Sequence, residues 1–310
     1  MSQKKSFTQK YFEAFSRIGV STELRLFQMK GSEIATEGSY DHADYDGISA
    51  VMGFANSLGY HKVYPPKLSY SPPVGWRKAF RELARWYFAF FPFKTALWKK
   101  NPPTQRVSAW ERWNVPESLS SSDLNALLLL SLDQTSLKYL EHQRAARMWM
   151  IPVGLYQDIE SAKGSGNAVS FIDVSIDDST SSHSLKDQIR SYLKNRTHWG
   201  TLLTIKPVAL FGVWAFSQFL KIAHLSFRRT GTLTNVGSWK VPELSEDEWW
   251  VFGDGMVAKM NPVIGTALMV NGKLGVSIIF DASLGKSKKD AEIFLTEWKL
   301  NLENLLKPSK

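Results

Sequence analysis

The stretch Ser39-Tyr40-Asp41-His42-Ala43-Asp44-Tyr45-Asp46-Gly47 lies where the periodicity of the chain changes. Ahead of it, residues 22–30 and 33–40 read as two extended runs joined by a Gly31-Ser32 turn. Behind it, residues 48–58 have the pattern of a helix. A histidine is thereby fixed in a strand-to-helix corner, with a carboxylate four residues on and then a glycine that lets the chain turn. An imidazole titrates near neutrality, so one held rigidly and braced by a carboxylate suits general-base catalysis. So short a pattern also occurs in ordinary acidic turns, and its meaning depends on the rest of the chain.

At 310 residues the chain has room for one large domain or two lobes, and its 18 Phe, 12 Trp and 10 Tyr can fill a substantial core. There is no cysteine, which excludes disulfides, thiolate zinc sites and a Cys nucleophile and fits a reducing cytoplasm. The start, Met1-Ser2-Gln3-Lys4-Lys5, is basic with no apolar stretch behind it, so no secretory signal is expected. The most apolar region, residues 207–220, is shorter than the roughly 20 residues that span a bilayer. The net charge of +9 points to an acidic partner: nucleic acid, an anionic membrane, an acidic carrier protein or a phosphate-bearing substrate.

In order along the chain, residues 7–18 read as an amphipathic helix with Phe7, Tyr11, Phe12, Phe15 and Ile18 on one face. A proline-rich connector covers residues 64–75. Residues 76–100 interleave arginine and lysine with Trp76, Phe80, Trp86, Phe90, Phe93 and Trp98. That composition suits either an interfacial membrane helix or a helix whose aromatic face packs on the domain. Asn101-Pro102-Pro103 is the expected lobe boundary, giving units 1–103 and 104–310. Further expected strands are 105–113, 147–153, 168–176, 231–236, 249–252, 265–270 and 273–281, the last two joined by Asn271-Gly272. Further expected helices are 120–140, 185–197, 205–227 and 286–306, with a loop at Gly164-Ser165-Gly166. No zinc, P-loop or Rossmann spacing occurs, and the aromatics fall in apolar helices rather than on a strand face, so no nucleic-acid module is expected.

The order of these motifs resembles the chloramphenicol acetyltransferase-like superfamily, which includes condensation domains and the BAHD and wax synthase branches. The superfamily's His-His-x-x-x-Asp-Gly matches as Asp41-His42-Ala43-Asp44-Tyr45-Asp46-Gly47, with Asp41 replacing the first histidine. Downstream, Ser121-Ser122-Asp123-Leu124-Asn125-Ala126-Leu127 is similar to the start of the second lobe's long helix. Trp149-Met150-Ile151-Pro152-Val153-Gly154-Leu155, Gly166-Asn167-Ala168-Val169-Ser170-Phe171, Thr234-Asn235-Val236-Gly237 and Val276-Ser277-Ile278-Ile279-Phe280-Asp281 follow in the expected order. The resemblance covers about residues 33–305.

It implies an α/β fold of two chloramphenicol acetyltransferase-like sandwich lobes around a central tunnel. It also implies acyl transfer from a thioester, acyl-CoA or acyl-phosphopantetheine on an acyl carrier protein, to a hydroxyl or amine, with no bound cofactor. His42 becomes the general base, Asp46 its structural brace with Arg25 as partner, and Thr234 the oxyanion donor. Asp41, Gly47, Thr232, Asn235 and Ser238 become substrate-binding candidates. His61, His142, His183, His198 and His224 are read as surface or packing residues. The superfamily carries a longer stretch ahead of its His motif than the 41 residues found here, so a shortened first lobe is expected. Either a second copy or a partner subunit completes it, or the fold is simply reduced. The expected location is cytoplasmic, with peripheral contact to the inner face of the membrane through the run 76–98. The alternative is a catalytically inactive protein that binds an acylated carrier or a lipid.

Overall fold

The computed structural model describes residues 7–66, 72–89, 97–99, 101–116, 119–141, 147–155, 169–205, 212–218, 220–221 and 229–307. The Gly164-Ser165-Gly166 loop, the motif residues 166–168 and much of the expected helix 205–227 lie outside them. The elements in chain order are α1 (Phe7–Ser16), β1 (Glu23–Lys30), β2 (Glu33–Asp41), α2 (Gly47–Ser57), α3 (Trp76–Ala89), β3 (Val107–Trp113) and α4 (Ser121–Ser136). They continue with β4 (Arg147–Gly154), β5 (Val169–Ile176), α5 (Ser182–Asn195) and α6 (Thr197–Ile205). The last are β6 (Gly231–Trp239), β7 (Glu248–Asp254), β8 (Val263–Val270), β9 (Lys273–Phe280) and α7 (Lys288–Leu306).

The strands form a mixed six-stranded sheet of order β3-β9-β8-β6-β4-β5 and a three-stranded antiparallel sheet of order β2-β1-β7. In the larger sheet β4, β6 and β8 run parallel, and β8 and β9 form the hairpin that Asn271-Gly272 promises. Both turn residues have positive φ (49° and 78°), the conformation a two-residue hairpin of this type needs.

One face of the larger sheet is apolar and carries α4, α5 and α7 over Trp149, Ile172, Leu233 and Ile278. Gly265 leaves the space that the Trp298 ring of α7 occupies, because a Cβ there would come within 2.6 Å of it. The buried Asp133 of α4 accepts from Arg147 Nε at 2.9 and 3.0 Å and from Trp149 Nε1 at 2.7 Å, which ties the helix to β4. Removing Arg147 would leave the buried Asp133 carboxylate without its ionic partner, at a cost of about 3–5 kcal/mol.

The smaller sheet lies between α2 and the larger sheet. Leu24 and Leu26 of β1 and Trp250 and Phe252 of β7 meet Ala50, Val51 and Phe54 of α2. On the other face Phe27 and Met29 pack with Trp249, Val251 and, at a ring separation of 5.0 Å, Trp110 of β3. The outer strand β2 is largely exposed.

One expectation changes. The aromatic run is not one helix: α3 ends at Ala89, residues 90–96 lie outside the described set, and Trp98 is buried in the main core, donating from Nε1 to the Thr230 carbonyl at 2.6 Å. The smaller sheet also draws strands from both sides of residue 103, since β7 pairs with β1. Among the described residues no helix is long and apolar enough to cross a membrane.

Candidate active site

The corner at His42 is built by hydrogen bonds local to it. β2 ends at Asp41, whose carboxylate accepts from the Ala43 amide at 2.8 Å and from Thr22 Oγ1 at 3.1 Å. The Asp41 carbonyl accepts from the amides of Asp44 (3.0 Å) and Tyr45 (2.9 Å), closing a tight turn. The chain then enters α2 through Asp46. Its Oδ1 accepts from the Ser49 amide at 2.8 Å, and Ser49 Oγ accepts from the Asp46 amide at 2.8 Å, a reciprocal cap. Asp46 is only 1% exposed.

His42 is half-buried in this frame. Its amide donates to the Thr22 carbonyl at 2.7 Å, and Nδ1 lies 2.8 Å from the Tyr45 carbonyl. A carbonyl can only accept, so the neutral ring carries its proton on Nδ1 and Nε2 is the basic nitrogen. Desolvation holds the imidazole below its ordinary pKa, against the smaller opposing pulls of the Tyr45 carbonyl and the Asp41 charge. The ring is neutral, and so able to take a proton, at pH 7.

The larger sheet meets the corner at Gly47, where a Cβ would lie 3.1 Å from Val236 of β6. Strand alternation puts Thr232 and Thr234 on the face opposite the apolar core that holds Leu233. Thr234 is in register with Thr266 of β8, and Thr266 with Ser277 of β9, whose hydroxyls are 2.7 Å apart. Thr232 is 2% exposed, and its hydroxyl has no partner among the described residues. Asn235 bonds elsewhere: its amide donates to Asn125 of α4 at 2.6 Å and its carbonyl accepts from Gly237 at 2.9 Å. This fixes a β-bulge, since pairing with β8 jumps from Asn235↔Ala267 to Ser238↔Met269. Ser238 lies beyond the bulge and is exposed.

Arg25 is not the partner of Asp46; it pairs with Glu23 at 3.1 Å and Glu37 at 3.5 Å. The sequence reading also missed α1 as part of the corner. Phe12 lies against the His42 ring at 4.7 Å, and Gln9 donates to Asp44 at 2.8 Å. The only sequence signal was the presence of Phe12 on the apolar face of the first helix. Two further ion pairs, one buried and one half-buried, involve residues in or near the sheet strands. Arg229 grips Asp173 with bonds of 2.5 and 2.9 Å beside Phe171 and Tyr11, whose phenol burial pushes up to about 12. Arg106 meets Asp254 at 2.6 Å, where burial raises the carboxyl pKa against the pull of the guanidinium. His61 and His183 are exposed and His198 is buried, while His142 and His224 lie outside the described residues.

No protein-family model and no curated protein matches the chain. Solved structures do. The starter condensation domain of rhizomide synthetase, solved with C8-CoA and Leu-SNAC, matches with a TM-score of 0.56 at 10% identity, over 87% of this chain and 65% of that one. The trichothecene 15-O-acetyltransferase of Fusarium sporotrichioides matches at 0.56 and 9% identity, over 89% and 70%. The epimerization domain from the third module of tyrocidine synthetase B matches at 0.52 and 14% identity, over 86% and 67%. The chain therefore has the condensation-domain and chloramphenicol acetyltransferase-like fold, and spans about two thirds of the length of these neighbours.

Proposed function

We propose that the protein is an acyltransferase that moves an acyl group from a thioester to a hydroxyl or amine, with His42 as general base. The observation that carries the reading is the His42 ring held in the strand-to-helix corner, its Nδ1 at 2.8 Å from the Tyr45 carbonyl and its pKa kept below the ordinary imidazole value by desolvation. The acceptor's O–H or N–H gives its proton to Nε2 as the oxygen or nitrogen attacks the thioester carbonyl. The tetrahedral oxyanion takes a hydrogen bond from Thr234, a contribution worth on the order of 10²–10³ in rate at comparable sites. Collapse breaks the C–S bond, and the departing thiolate recovers the proton from the imidazolium, leaving a free thiol and an ester or amide.

The donor in this reading is acyl-CoA or an acyl carrier protein, whose phosphates or acidic surface suit a chain of net charge +9. The C8-CoA bound by the rhizomide synthetase domain supports a thioester donor on this fold. Asp46 acts as a structural brace through its cap on α2. Asp41 shapes the turn in place of the superfamily's first histidine.

One observation favours the rival, a non-catalytic protein that holds an acylated carrier or lipid: the Phe12 ring lies against the imidazole, as packing rather than catalysis would place it. The two readings separate in a thioester-consumption assay over a panel of acyl-CoAs and acyl carrier proteins. The enzyme loses turnover in His42→Ala but keeps donor affinity. Its acid limb falls below the ordinary imidazole value of about 6.5, because desolvation lowers the pKa of the base. Donor binding without turnover in the wild type overturns the catalytic reading.

A further inference from the structure

The helix α3 exposes two large aromatic side chains, Trp76 and Phe80. Its inward face is Ala79 and Glu82, both about 5% exposed, and the helix packs against α6. Its outward face reads Trp76, Arg77, Phe80, Arg81 and Arg85, positions that fall in one stripe at helical spacing. Trp76 is 72% exposed and Phe80 62% exposed, although large aromatics of this kind fill the core elsewhere in the molecule. The Arg77 guanidinium lies over the Trp76 ring at 5.5 Å. Four cations, Arg77, Lys78, Arg81 and Arg85, face a single carboxylate within the helix, Glu82, which takes Arg85 at 3.1 Å and Arg81 at 3.6 Å.

We propose that this face of α3 docks the protein on an anionic phospholipid surface. Two exposed rings flanked by arginines match the layering of a bilayer interface, where aromatic side chains sit at headgroup depth and guanidinium groups meet phosphates. The inference is independent of acyl transfer, because none of the α3 residues belongs to the His42 corner.

The test is flotation of the purified full chain with vesicles of phosphatidylcholine alone, or of phosphatidylcholine mixed with phosphatidylglycerol. The wild type floats only with the anionic vesicles, and less so as salt is raised. Trp76→Ala/Phe80→Ala weakens binding at least about tenfold by removing the inserted rings. Arg77→Ala/Arg81→Ala weakens it by about fivefold per charge lost and leaves Arg85 to hold Glu82. All of these side chains are exposed, so thermal unfolding and turnover of a water-soluble acyl-CoA stay at wild-type levels. The proposal is overturned if the wild type does not float, if it binds both vesicle types equally, or if the variants float like the wild type. Binding of an acidic carrier protein through these residues, without flotation, also overturns it and makes the face a protein-docking surface.

Discussion

The carboxylate of Asp46 is buried at the N-terminus of α2, where it takes the amide of Ser49 and sits in the partial positive charge of the helix end. Replacing it with alanine leaves that amide without its cap and lowers stability by about 1 kcal/mol, while serine, which can cap, restores most of it. Thermal melts of Asp46→Ala and Asp46→Ser measure this. Because the cap also sets the corner that holds His42, turnover falls in the alanine variant and recovers in the serine one. The strand-to-helix corner that carries His42 and Asp46 was legible in the sequence because its turn and its helix cap join residues between Asp41 and Ser49. The partner assigned to Asp46 was not. Register places Glu23 and Glu37 around Arg25, and two nearby carboxylates outcompete a third that is already capping a helix. The contact between Phe12 and His42 joins residues 30 positions apart, and no local pattern encodes it.

At the scale of elements, the approach of β7 to β9 depends on Gly275. A Cβ there would stand 2.0 Å from the Trp250 carbonyl oxygen, and the obstacle is backbone, which cannot swing aside. Gly275→Ala is therefore expected to destabilise by several kcal/mol through overpacking. A denaturant titration shows this as a lower midpoint with an unchanged slope. The hairpin joining β8 and β9 was legible because Asn271-Gly272 carries its own turn chemistry. The end of β6 was not: the glycine at 237, with φ of 86°, looks like a stop, yet the strand absorbs it in a bulge and runs on to Trp239. The helix α3 was read correctly as basic and aromatic, but which aromatics face out could only be learned from what packs beneath them.

For the molecule as a whole, acid stability is set in part by His198. Burial, with a smaller contribution from Arg196, pushes this imidazole down to about 4. The unfolded chain takes up the proton near 6.5 and the native state refuses it until about 4, so the unfolded state binds more protons between these values. This contribution to stability is fully present above 6.5 and is lost as the pH falls towards 4, by about 3 kcal/mol at most. Unfolding free energy measured against pH is expected to drop more steeply in the wild type than in His198→Gln, with the difference confined to that window. The α/β fold was legible through the resemblance of the ordered motifs to the chloramphenicol acetyltransferase-like superfamily, which implied two sandwich lobes. Which strands share a sheet was not, because the smaller sheet takes β7 from the far half of the chain. The pairing of Arg25 with Asp254 closes a loop of more than 200 residues. Contacts of such separation form late, since the chain must first lose the entropy of closing so long a loop. On the ribosome, then, the segment bearing His42 is made more than 200 residues ahead of β7 and must wait, with the apolar faces of β1 uncovered, until β7 has emerged.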